Sequence, residues 1–239
     1  TRIVIVSALV GLIALAAVVW FFVFRDTSPP APTLEGAVSG VTSTDPTGST
    51  APATTAATIQ NGIEGDWSLS GDGTSYVGYR VQEELASIGA KTAVGRTPLV
   101  EATLTVAGGE VTSVVIDADL SGLTSDAPHR DSAIKRQALE TDTFPDAGFT
   151  LTAPIALPAG AAAGDPIEVT AIGDLTLHGV TRPVEVPLQA QLVDGRIVVV
   201  GLLPILFEDY GIEKPSALGV LSVDDNGSME LLLVFEPVG

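Results

Sequence analysis

Residues 183–193, PVEVPLQAQLV, place Val184, Val186, Leu188, Ala190 and Leu192 on one face and Glu185, Gln189 and Gln191 on the other. A side-chain period of two is the mark of a strand buried on one side only. The same alternation sets Val169, Ala171, Leu175 and Leu177 against Thr170, Asp174 and Thr176, and Met229, Leu231, Leu233 and Phe235 against Glu230 and Glu236. It returns with Val114, Ile116, Ala118 and Leu120, and again with Val77, Tyr79 and Val81 against Tyr76, Arg80 and Gln82. Gly71-Asp72-Gly73, Gly108-Gly109, Asp194-Gly195 and Asp224-Asp225-Asn226-Gly227 separate these runs. Asp-Gly between alternating segments is a strong two-residue hairpin signal. The expected fold is therefore mainly antiparallel β.

One stretch departs from period two. Ile134, Ala138 and Leu139 recur at helical spacing, with Ser125 or Asp126 as N-cap, so a short helix is expected over 130–140, ended before Pro145. Many half-buried strands and one helix point to a closed barrel, whose lumen either fills with its own side chains or holds one ligand.

Residues 3–24, IVIVSALVGLIALAAVVWFFVF, carry no charge and a single hydroxyl, Ser7. As a helix at ~1.5 Å per residue this run reaches roughly 33 Å, enough for the ~30 Å hydrocarbon core of a bilayer. Its aromatic end, Trp20 to Phe24, suits the membrane interface and not a small-residue cleavage site. Residues 1–26 are thus read as a single transmembrane anchor. Residues 27–60 are dominated by Thr, Ser, Pro and Ala and read as a disordered linker, with a coil reach of roughly 32 Å. Residues 61–239 form the β-barrel domain, expected on the extracytoplasmic side of the cell membrane.

The chain has 29 acidic against 11 basic side chains, a net charge of −18, which argues against nucleic acid as a partner. It has no cysteine and two histidines, which excludes disulfides, thiol chemistry, zinc-thiolate clusters and a three-histidine metal site. No nucleophile elbow or phosphate-cradling glycine loop occurs, and neither a catalytic role nor a cofactor is expected. His178, in a Leu-His-Gly-Val-Thr-Arg-Pro stretch, reads as a turn residue bonded to backbone.

The segments GDWSLSGDGTSYVGYRV, LTSDAPHRDSAIKRQALETDTFPDAGFTL, IGDLTLHGVTRPVEV and FEDYGIEKP, in this order and at these separations, resemble the YceI-like domain family over about residues 66–236. The chain departs from it at Val100-Glu101-Ala102, where the family often has Val-x-Gly. The resemblance implies a lipocalin-like antiparallel β-barrel whose apolar lumen takes a polyisoprenoid or similar long-chain lipid. Val77, Tyr79, Val81, Ile116, Leu175, Leu177, Leu188, Leu231 and Leu233 are the expected lumen residues. Arg130, Asp131 and Lys135 are the candidates for a polar head group, although Arg130 and Asp131 can equally form an ion pair that fixes the helix. A homodimer is compatible with such a domain. The competing reading is a cell-envelope interaction module with a filled core and no ligand.

Overall fold

The computed structural model describes residues 28–42, 62–86, 89–216 and 220–238. Twelve strands form one antiparallel sheet: β1 (Gly65–Leu69), β2 (Tyr76–Leu85), β3 (Gly89–Thr97), β4 (Val100–Ala107), β5 (Glu110–Asp119), β6 (Asp146–Leu151), β7 (Ile155–Ala156), β8 (Ile167–Leu177), β9 (Val180–Val193), β10 (Arg196–Leu206), β11 (Val220–Val223) and β12 (Asn226–Pro237). Neighbours run β1-β4-β5-β6-β8-β9-β10-β12, and β12 pairs back onto β1, so these eight close a ring. Closure leaves none of the eight as a bare edge. Beyond β1 the chain continues as β2, which pairs with the first half of β12 and with β3. The open flank of β3 is stitched to the segment after β5 by the reciprocal Arg96 and Thr124 backbone bonds.

Tight turns explain the up-and-down path. Asp194 and Gly195 both take positive φ, 50° and 77°, as a two-residue hairpin requires. His178 and Gly179 do the same at 51° and 73°, and the His178 Nδ1–H donates to the Tyr210 carbonyl at 3.0 Å. Ala102 faces inward at 6% exposure in regular register with Ile116, and the strand's irregularity falls further along, between Thr105 and Val106.

Two expectations about helices are corrected. Within the stretch expected to be a disordered linker, Leu34–Thr42 form a helix, α1. Ala37 and Val41 pack on Val198, Val200, Leu232 and Val234, whose side chains point outward from the barrel and are 0–8% exposed. The runs Ile197–Val200 and Leu231–Phe235 are apolar on both faces, so the outer face needs a cover, and α1 supplies it. Residues 43–60 and the apolar run 3–24 lie outside the described residues; among the described residues no helix is long and apolar enough to cross a membrane.

The short helix, expected over 130–140, begins earlier: α2 spans Pro128–Ala133 and passes into a π-helical turn, Ile134–Ala138. Pro128 occupies the first turn, where a missing N–H costs nothing, and Ala127 is the N-cap instead of Ser125 or Asp126.

Candidate functional site

The strand faces that alternate inward surround a cavity of about 230 Å³, counted as the space open to the centre of a water molecule. All nine residues expected in the lumen line it: Val77, Tyr79, Val81, Ile116, Leu175, Leu177, Leu188, Leu231 and Leu233. They come from β2, β5, β8, β9 and β12, so the cavity runs through the middle of the barrel and is not a cleft on its side. Leu104, Phe149, Ile197, Val199 and Leu203 complete the wall. At one end Ile63 and Leu157 reach it, and Trp67, 1% exposed, packs beyond them with its indole N–H on the Ile63 carbonyl at 3.0 Å. At the other end Leu123, Ile134, Leu139, Phe207, Ile212, Pro215 and Val223 line it, contributed by the segment around α2 and the connection from β10 to β12. Helical spacing had marked Ile134 and Leu139, whereas periodicity had no hold on Leu123, Phe207, Ile212 and Pro215, which sit in short turns and connections.

Two glycines hold the lumen's aromatic rings against its wall. A Cβ on Gly95 would lie 2.4 Å from Cε1 of Tyr79, and one on Gly173 would lie 2.4 Å from Cζ of Phe149. Each ring therefore presses against bare backbone on the neighbouring strand, where any larger residue would push it away. The Tyr79 hydroxyl is buried and, among the described residues, has no hydrogen-bond partner. Burial pushes its ionisation well above the ordinary tyrosine range, with the Arg130 guanidinium pulling the other way.

The expected head-group residues sit behind this end of the lumen, and none of the three lines it. Arg130, 9% exposed, turns its guanidinium onto the Glu83 carboxylate and onto Asp126. Its ion partners are Glu83 and Asp126, and not Asp131. Asp131 instead accepts from the Ser125 amide at 2.9 Å and the Ser125 hydroxyl at 2.6 Å, tying down the entry to α2. Lys135 is half-buried, within Coulombic reach of Asp119. The early start of α2 is the physical reason, since it swings Arg130 back toward the end of β2. Glu83 was missed by the sequence reading although it carried a signal: it continues the inward series Val77, Tyr79, Val81, and a carboxylate on an inward position needs a cation. Lys91 adds a second cation, its Nζ 2.6 Å from Asp126, so Lys91 and Arg130 balance Glu83 and Asp126 in charge. Arg130 is thus committed before any anion arrives.

Among the described residues no cluster of His, Asp and Glu is placed to hold a metal ion. The functional geometry is an elongated apolar chamber with the buried Tyr79 hydroxyl near a neutralised ion-pair network. Such a chamber removes a hydrocarbon chain from water and fixes its orientation only weakly.

Residues 67–235 match the YceI-like domain family. No curated protein matches the chain. Among solved structures it is similar to a polyisoprenoid binding domain from Saccharophagus degradans implicated in plant cell wall breakdown, with 21% identity, a TM-score of 0.55, and coverage of 72% of this chain and 98% of that one. It is also similar to BcnA of Burkholderia cenocepacia, with 20% identity, a TM-score of 0.50, and coverage of 66% and 95%. At these identities the likeness extends to the fold.

Proposed function

Because the chain belongs to the YceI-like domain family, we propose that it binds a polyisoprenoid or similar long-chain amphiphile in the barrel lumen, to sequester or carry it. The observation that carries this reading is the continuous apolar lining, to which five strands bring the nine inward residues named above. Each CH₂ moved from water into such a chamber contributes ~0.8 kcal/mol, so chain length by itself supplies affinity without a strong polar anchor. The action is burial and release, with no bond made or broken. The polyisoprenoid binding domain with the same fold supports the choice of ligand class. The apolar run 3–24, with the interfacial aromatics Trp20 to Phe24 at its end, supports a single-pass anchor in the cell membrane; on this reading the barrel lies on the extracytoplasmic side.

The test is native mass spectrometry of the full chain purified in mild detergent, followed by organic extraction. The expected result is bound lipid whose mass series is spaced by one isoprene unit. An unoccupied mass, together with failure to take up a fluorescent fatty probe, refutes the carrier and leaves an interaction module.

A further inference from the structure

Residues 28–42, which follow the proposed anchor, are held on the barrel wall. The Ser28 hydroxyl donates to the Thr92 carbonyl, Arg96 Nη2 donates to the Pro30 carbonyl at 3.1 Å, and the Thr33 hydroxyl accepts from the Gly36 amide at 3.2 Å at the start of α1. Residues 28–42 therefore form a strap along the outer wall, and its direction is readable from the strand registers. Thr92 lies opposite Gln82, near the tip of the β2–β3 hairpin; Arg96 lies opposite Gly78, further down; and α1 covers Val198 and Val200, which pair with Val234 and Leu232, lower still. The chain thus meets the barrel at the hairpin rim and descends.

From these contacts we infer that the strap holds the barrel against the bilayer with the β2–β3 hairpin rim facing the lipid. The inference rests on the proposed anchor. From Phe24, the last residue of the apolar run, to Ser28 there are four Cα steps of ~3.8 Å, which limits that separation to about 15 Å. This is half the reach expected of a free linker. The rim so placed is the one where Val81, Phe207, Ile212, Pro215 and Val223 line the lumen. It also carries Leu206 and Leu221, exposed at 48% and 65%, which suit contact with a lipid surface. Glu84, Glu208, Asp209, Glu213, Asp224 and Asp225 share this rim and would repel an anionic membrane, so tethering and not charge attraction brings it there. An apolar lumen whose end is presented to the bilayer can exchange a lipid without exposing its chain to water.

The chain has no cysteine, so single labels are clean. The full chain carrying Ser222→Cys at the rim, or Glu110→Cys at the opposite end, is labelled with a donor dye and reconstituted into phosphatidylcholine vesicles containing a head-group acceptor. The strands place the second site ~25 Å further from the surface. Energy transfer is expected to be several-fold higher from position 222 than from position 110, and Ala37→Asp with Val41→Asp should level the two by releasing the strap. Equal transfer from both positions in the otherwise unaltered chain, while the protein floats with the vesicles, overturns the inference and leaves the anchor standing. Protein that stays behind in flotation overturns the anchor, and this orientation with it.

Discussion

Glu230 Oε1 accepts from Arg96 Nε at 2.6 Å while Oε2 accepts from Arg80 Nη1 at 3.0 Å, and no part of the Glu230 side chain reaches water. One carboxylate on the outer wall thus joins β2, β3 and β12, and the Arg96 that it holds also lies over the Tyr76 ring at 4.3 Å and donates to Pro30 of the strap. Removing the carboxylate leaves two guanidiniums against a buried wall without their counter-charge. Glu230→Ala is expected to cost about 3 kcal/mol, as broken buried pairs do. Urea titration at neutral pH measures it, and an unchanged midpoint would show that the two arginines find water at no penalty.

Leu231 tests the lumen itself. It projects into the cavity from β12, so Leu231→Arg puts a cation and three methylenes where the proposed lipid chain lies. Loss of co-purifying lipid is the expected outcome, with fold checked by circular dichroism. A folded variant that retains lipid at the parent level would refute the inward role of this position.

Tyr79 makes an opposite and cheaper prediction. Among the described residues its buried hydroxyl has no hydrogen-bond partner, so Tyr79→Phe removes a desolvated polar group and leaves the ring on Gly95. Stability of the lipid-free protein should rise by about 1 kcal/mol. A lower melting temperature would mean that the hydroxyl is satisfied after all.

Asp126 sets a pH dependence. The hydrogen bond from Lys91, and after it the charge of Arg130, hold its carboxyl below the usual range. A depressed folded-state value stabilises the protein above the unfolded value of ~3.9 and is lost as pH falls through the folded one. Asp126→Asn should therefore lower the melting temperature from pH ~5 upward and leave it unchanged near pH ~2. The side chain is half exposed, so the effect stays below about 1 kcal/mol and shrinks with salt. A difference that persists at the acid end would exclude the charge as its origin.

Alternation made the walls of the barrel legible. Val77, Leu177, Leu188 and Leu233 face inward because a strand has only two sides, and the polar residues between them leave one choice for the core. Composition was a poorer guide for residues 27–60. Pro, Thr and Ser dominate there, yet Leu34, Ala37, Val38 and Val41 recur at helical spacing and find an apolar stripe that belongs to strands more than 150 residues away. Neither the helix nor the stripe is stable exposed, and each is the reason for the other. The head-group candidates failed to reach the lumen for a related reason: where Arg130 points depends on where α2 starts and on Glu83, 47 residues earlier in the chain.

The sequence by itself determined the class of fold, the inward face of each long strand and the apolar character of the chamber, since these follow from local period and side-chain chemistry. Only the tertiary structure decided that the barrel stays hollow, that Arg130 answers Glu83, and that residues 28–42 lie strapped along the barrel wall. Those outcomes depend on the summed volumes and charges of strands far apart in sequence, which meet only when the ring closes.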